Sequence, residues 1–373
     1  MKKIFALLLP LALVFTIPFA AFAQEAGNSM TFSVTEDKEF GSVEIDASKE
    51  EFARFGAELG DSIDVRFSSG YILEDIPYYN GYYERVNRPL VVNYPGLGIY
   101  IAYCSGDSMW KLSGCAEGDR VNLTIREKGK YLDSQNAMAS VYVDDRDAFD
   151  SDEAFANFRA MTGGNLRSDM FFRGASPVDN AHKRAGTANS LIEKKGIRFV
   201  LNLADSERRL ITRMAEKNFV SDYAASLYDE GKTALLALSA SYRSDTYKAL
   251  LVDGLLEMMK HEGPYYIHCT EGKDRTGFVC MLLEALADAS YEEIEADYMR
   301  SYDNYYGITE ESDGAKYNAL KEMRLYDMLW WLADLPDGTE LVGMNFRESA
   351  ENYLRSGGMT DQQITELENF LTQ

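Results

Sequence analysis

Cysteine, histidine and tryptophan are scarce in this chain of 373 residues, at four, three and three. Three histidines and four cysteines with no CxxC spacing leave a structural zinc site without ligands, and no metal or cofactor is expected. Basic residues are also short: 38 Lys and Arg stand against 60 Asp and Glu, a formal net charge of −22. A chain of that sign repels nucleic acid and anionic membrane as a whole. Any site for an anion must therefore be built locally, from a few cations and backbone N–H groups. Long apolar runs are missing except at the start, where Lys2 and Lys3 precede an apolar stretch from Ile4 to Phe22. Ala21-Phe22-Ala23 fits a small-x-small cleavage pattern. Residues 1–23 read as a cleaved signal peptide of a secreted or extracytoplasmic protein. The alternative is an uncleaved anchor, the one route by which a membrane would enter.

Export raises a question about the thiols, because exported cysteines usually pair. Cys104 and Cys115 are close in sequence and could close a short loop as a disulfide. Cys269 and Cys280 form the second sequence pair.

The chain changes period near residue 146. From about Met30 to Val143 it holds short, alternating segments rich in β-branched and aromatic residues, among them "DSIDVRFS", "PLVVNY", "GIYIAYC", "RVNLTIREKGKY" and "ASVYV". "SKEEFARFGAELG" is the exception, an amphipathic helix with Ser48 as its cap. "GDSIDVRF" from Gly60 and "GDRVNLTI" from Gly118 echo each other, as a weak repeat or as two ordinary Gly-Asp turns. This part, residues 24–146, is expected to be a β-rich barrel or sandwich. The acids from Asp144 to Glu153 lack EF-hand spacing and read as a solvated linker entering a helix N-terminus. Residues 147–373 then alternate helix and strand: "IRFVLNL", "YKALLVDGLLEMMKH", "PYYIH", "RTGFVCMLLEALADA", "YEEIEADYMRSY" capped by Ser290 and Glu293, and "AKYNALKEMRLYDMLWWLADL". The alternation predicts an α/β domain, a mostly parallel sheet flanked by helices.

One stretch carries chemistry: "YYIHCTEGKDRTGFVC", Tyr265 to Cys280. It reads strand, loop, helix. The first-turn N–H groups of a helix lack partners and its dipole favours an anion there. Gly272 lets successive N–H groups converge. Those donors and a nearby guanidinium stabilise a thiolate at Cys269. Arg275, after five intervening residues, has the fork that grips two phosphate oxygens. Thr276 is placed to hydrogen-bond the sulfur, and His268 to orient the loop. The bland alternative is a buried cysteine at an ordinary strand-to-helix turn.

"HCTEGKDRTG" resembles the HCxxGxxR[ST]G signature of cysteine-dependent phosphatases, and with Lys273 and Asp274 it is similar to the bacterial tyrosine-phosphatase branch reading HCxxGKDRTG. The similarity extends over about Phe155 to Tyr306. It implies a cysteinyl-phosphate mechanism with Cys269 as nucleophile and Thr270, Glu271, Gly272, Lys273, Arg275 and Gly277 around the phosphate. "FFRGASP" resembles the family's upstream arginine segment and brings Arg173 to the substrate. "GIRFVLNLADSE" resembles its strand with a DLR-like turn, but Asn202 and Ala204 replace the acid and arginine. The general acid is expected at Asp274, then Asp205, then Asp245. The resemblance implies a phosphoprotein, most readily phosphotyrosine, as substrate. Lys273 also suits inositol phosphates or phosphoinositides. A third reading, from another class, is a non-catalytic surface-binding protein with a vestigial phosphatase fold.

Overall fold

The structure is a computed structural model and describes residues 28–373, apart from 39, 105 and 217–220. The expected signal segment, 1–23, lies outside the described residues. No helix among the described residues is long and apolar enough to cross a membrane.

The β-rich part closes into a seven-stranded barrel. Its strands are β1 (Ser29–Glu36), β2 (Val43–Asp46), β3 (Ser62–Phe67), β4 (Ile72–Tyr79), β5 (Pro89–Tyr94), β6 (Gly98–Tyr103) and β7 (Arg120–Glu127). They run in the order β1-β2-β6-β5-β4-β3-β7, and β7 pairs back onto β1. Every pair is antiparallel except β4 with β5. Alternation fills the interior: Val34, Ile45, Ile63, Val65, Val91, Ile101, Val121 and Leu123 share one core. The two segments that echo each other become β3 and β7, neighbours in the barrel, each entered through a glycine with positive φ. The opposite face of β4 to β6 forms a second cluster around Tyr79, Leu90, Val92, Ala102 and Cys104, ringed by Tyr82, Tyr83 and Tyr94.

The second part carries a five-stranded sheet of β8 (Arg159–Ala160), β9 (Phe171–Gly174), β10 (Phe199–Asn202), β11 (Thr233–Leu235) and β12 (Tyr265–His268), ordered β11-β10-β12-β9-β8. Only β8 runs antiparallel. Both faces are covered, as parallel strands require. Phe171, Phe199, Leu201, Tyr265 and Ile267 join one core with the helices Asp245–Met258, Asp274–Leu286, Arg347–Ser356 and Asp361–Thr372. Phe172, Val200 and Tyr266 join another with the helices Ala185–Lys194, Glu207–Met214 and Asp222–Asp229.

Three expectations change. "ASVYV" forms no strand; it is an extended crossing between the two parts. The helix expected over "AKYNALKEMRLYDMLWWLADL" is broken by a π-helical turn at Lys321–Tyr326. Cys104 and Cys115 are free thiols. Cys104 is buried in the outer barrel cluster, while Cys115 edges the barrel's inner core, so the two side chains serve opposite faces of the barrel wall.

The two parts meet across the loop after β4 and the π-helical turn. Arg324 donates to Glu84 O at 3.3 Å and to Tyr82 O, with its Nη1 3.7 Å from Cys104 Sγ. Arg85 bridges Asp337 at 2.5 Å and Glu322 at 3.3 Å. Tyr83 packs against the core of the second part.

Candidate active site

The site is the loop between β12 and the helix Asp274–Leu286. β12 is the central strand, paired with β10 on one side and β9 on the other, so the loop leaves the middle of the sheet at its carboxyl edge. Gly272 adopts φ +71°, and a Cβ there would lie 2.0 Å from Gly174 O. Only glycine lets the loop curl this tightly against the end of β9.

The carbonyls of the loop all face away from its mouth. His268 Nδ1 lies 2.8 Å from Cys269 O. Thr270 O accepts from Ser176 N at 2.9 Å. Glu271 O accepts from Tyr305 OH at 2.8 Å and Asn157 Nδ2 at 3.1 Å. Gly272 O accepts from Arg173 Nη2 at 2.9 Å and Asn157 Nδ2 at 3.3 Å. Lys273 O accepts from Gly277 N at 2.7 Å. By contrast, the N–H groups of Thr270, Glu271, Gly272 and Lys273 donate to no acceptor among the described residues. Peptide units whose oxygens are fixed behind present their N–H groups in front. Added to the free first-turn N–H groups of a 13-residue helix, they make a nest for an anion.

Cys269 stands at the head of this nest, 3% exposed. Arg275 spans the loop: Nη1 donates to Leu238 O at 3.0 Å and Nη2 to Thr270 Oγ1 at 3.3 Å. Leu238 O, from the segment after β11, thus fixes one edge of the guanidinium. Thr276 Oγ1 is buried with no hydrogen-bond partner among the described residues. A buried hydroxyl in that state has its donor proton available. His268 is buried and stacked on Tyr266; burial pushes its pKa down, so the ring is neutral and orients Cys269. Cys280 is buried inside the helix and its thiol is pushed up to about 12 by that burial. It remains free, as does Cys269.

Several expected residues stand elsewhere than sequence reasoning put them. Arg173 is fully buried behind the loop, bound to Gly272 O and to Asp297, so it braces the loop and has no surface for a substrate. Asp297 also takes Arg159 Nε at 2.6 Å. Gly277 serves close helix packing, since a Cβ there would lie 2.6 Å from the Tyr298 ring. Asp205 is buried at the end of β10, bonded to Asn202 Nδ2 at 2.9 Å and paired with Arg213. That arrangement leaves it supporting the strand end beside His268, with both carboxylate oxygens engaged and none turned to the loop's mouth. Asp245 is exposed on the first turn of its helix, 3.3 Å from Lys248. Asp274 stands on the first helical turn with a largely exposed side chain, directly at the loop. Glu271 and Lys273 pair with each other at 2.9 Å. The bracing residues Asn157, Arg159, Asp297 and Tyr305 escaped sequence reasoning because no spacing ties them to Cys269.

Two cavities lie apart from the loop. The larger, roughly 830 Å³, sits on the barrel beside Glu58, Asp61, Tyr78, Asn80, Asn93 and Lys128. Its polar groups pair mainly with one another, as with Lys128 and Asp61 at 3.0 Å. The loop is the candidate site, because a nest of donors for an anion is a shallow surface and needs no deep cavity.

Residues 154–373 match the family model described as the tyrosine phosphatase family. No curated protein matches the chain. Among solved structures, one match is a conserved protein from Thermotoga maritima described as uncharacterized. It is 18% identical, with 26% of this chain and 36% of that one covered and a TM-score of 0.23. The chain thus spans little more than a third of that protein's length.

Proposed function

This chain belongs to the tyrosine phosphatase family, and on that premise we propose that it hydrolyses phosphomonoesters, most readily phosphotyrosine, through a cysteinyl-phosphate on Cys269. The observation that carries this reading is the one-sided loop, with carbonyls tied behind and four N–H groups free in front. The phosphoryl oxygens sit among those N–H groups and the Arg275 fork, where charge develops during transfer. Cys269 Sγ attacks phosphorus in line with the leaving oxygen, and the P–O bond breaks as the S–P bond forms. Asp274 supplies the proton to the leaving oxygen. It is the one carboxyl of the three expected acids that stands exposed at the loop. Water, giving its proton to the Asp274 carboxylate, then attacks the phosphocysteine; the S–P bond breaks as the new P–O bond forms, and the Thr276 hydroxyl hydrogen-bonds the departing thiolate. No cofactor enters these steps.

The reading for inositol phosphates rests on Lys273 as a second open cation. Its ion pair with Glu271 favours a substrate with one phosphoryl group. We further propose export, with cleavage before Gln24; N-terminal sequencing of protein recovered outside the cell is expected to begin there.

The test is hydrolysis of p-nitrophenyl phosphate and of a phosphotyrosine peptide by purified protein, beside Cys269→Ser. The variant is expected to lose at least about 10³-fold in kcat/KM with an unchanged melting temperature. Equal failure of the wild type on these, on a phosphoinositide and on phytate would favour the binding-protein reading instead.

A further inference from the structure

Lys273 is the one cation of the loop besides Arg275, and the structure does not leave it open. Its Nζ lies 2.9 Å from Glu271 Oε2 and 2.7 Å from Tyr306 OH. Three rings surround it: Tyr306 at 4.9 Å, Tyr302 at 5.5 Å and Tyr142 at 6.0 Å from ring centroid to nitrogen. Its side chain is 10% exposed. Tyr142 comes from the crossing between the barrel and the second part, and its hydroxyl donates to Glu271 Oε1 at 3.0 Å. The Tyr142 ring is stacked on His182 at 4.1 Å, and His182 Nδ1 lies 3.1 Å from Asp144. Two hydrogen bonds pin the same segment: Val143 N donates to Tyr305 O at 2.8 Å, and the Arg184 side chain donates through Nη2 to Val143 O at 2.8 Å.

We propose that the Glu271–Lys273 pair, held under Tyr142 of the interdomain crossing, withdraws the loop's lysine from substrate and makes the site selective for a single phosphoryl group over polyphosphorylated substrates. This rests on the reading of Cys269 as a phosphatase nucleophile. The physical reason is charge. A second phosphate on a substrate needs a cation beside the first, and the candidate here is neutralised at contact distance and enclosed by rings that attract it. The exposed Asp274, unchanged in every variant below, adds negative charge at that edge and repels a polyanion more than a monoester. Specificity then comes from a built-in obstacle as well as from the nest.

The experiment measures kcat/KM for p-nitrophenyl phosphate and for phytate in wild type, Tyr142→Phe and Glu271→Gln. The ratio of phytate to p-nitrophenyl phosphate is expected to rise about tenfold in Glu271→Gln and about threefold in Tyr142→Phe, which removes one hydroxyl only. Adding Lys273→Met to Glu271→Gln must erase the gain; a gain that survives would assign it to lost negative charge and overturn the proposal. An unmoved or lowered ratio in folded Tyr142→Phe overturns it as well, and that variant decides if Glu271→Gln does not fold. Absence of p-nitrophenyl phosphate turnover in wild type would instead refute the phosphatase reading. Calorimetric binding of phytate to Cys269→Ser, with and without Tyr142→Phe, then reads the selectivity without catalysis, and equal affinities would overturn it.

Discussion

Gly272 and Thr276 show how much of this site rests on single atoms. At Gly272 the left-handed backbone and the 2.0 Å approach to Gly174 O both exclude a side chain. Gly272→Ala is expected to cost about 3 kcal/mol of stability and to disrupt the nest. Thermal melts and p-nitrophenyl phosphate turnover check this, and near-wild-type values in both would show that the loop can relax. Thr276 has the opposite character. Its buried hydroxyl bonds to nothing among the described residues, so Thr276→Val removes no structural hydrogen bond. The variant is expected to melt at or slightly above the wild-type temperature, while kcat falls roughly tenfold through slower breakdown of the phosphoenzyme. Accumulation of labelled enzyme at steady state is the readout. The strand, loop and helix that carry Cys269, Gly272 and Arg275 were legible because they are fixed by order along one short stretch. Arg173 was visible in the sequence but assigned to the wrong side of that loop. Burial decides its role, and burial depends on Asp297, 124 residues away.

The helix Asp274–Leu286 and its neighbour Tyr291–Tyr306 carry the site from behind. Between them Glu284 is buried with one carboxylate oxygen unpartnered, beside Asp297, Arg173 and Arg159. Burial, reinforced by Asp297, pushes its pKa well above the ordinary carboxylate value, so the folded protein keeps the proton. The unfolded chain releases that proton as pH rises through the ordinary range. Native protein then binds more protons than unfolded, and stability falls with rising pH above about 4.5 on this group's account. Glu284→Gln, which is neutral at every pH, is expected to raise the melting temperature at pH 8 relative to wild type and to change it less near pH 4.5. A variant less stable at pH 8 than wild type would show that Glu284 is ionised and paired. Two strands of this part, β10 and β12, were readable from periodicity while β8, β9 and β11 were not, and Ser290 with Glu293 does form a capping box. The π-helical turn was not readable. Its cause is tertiary, since it sits where Arg324 reaches across to the barrel, and nothing in local propensity marks it.

At the scale of the whole molecule, the barrel and the phosphatase part are joined by a half-buried arginine and an extended crossing. Arg324→Met leaves the carbonyls of Tyr82 and Glu84 without their donor and is expected to cost about 2–3 kcal/mol. Calorimetry is expected to show a lower transition that begins to split into two; an unchanged single transition would mean that other contacts couple the parts. Most strands of the barrel follow from alternation that the sequence displays openly, but β4 and the closure into a barrel and not a sandwich come from pairing that alternation does not specify. The pairing of Cys104 with Cys115 failed because inside and outside of a barrel wall cannot be told from sequence distance. "ASVYV" misled for a related reason. Its apolar and aromatic residues serve the crossing over the phosphate loop, where Tyr142 meets Glu271, and not a sheet. The central claim is that Cys269 becomes phosphorylated during turnover. Rapid quenching with p-nitrophenyl phosphate, followed by mass measurement of the peptide holding Cys269, tests it most directly. The account predicts one phosphoryl group on that cysteine, absent in Cys269→Ser and more abundant in Thr276→Val. Turnover with no phosphopeptide at any time, or with the phosphoryl group on another residue, would contradict it.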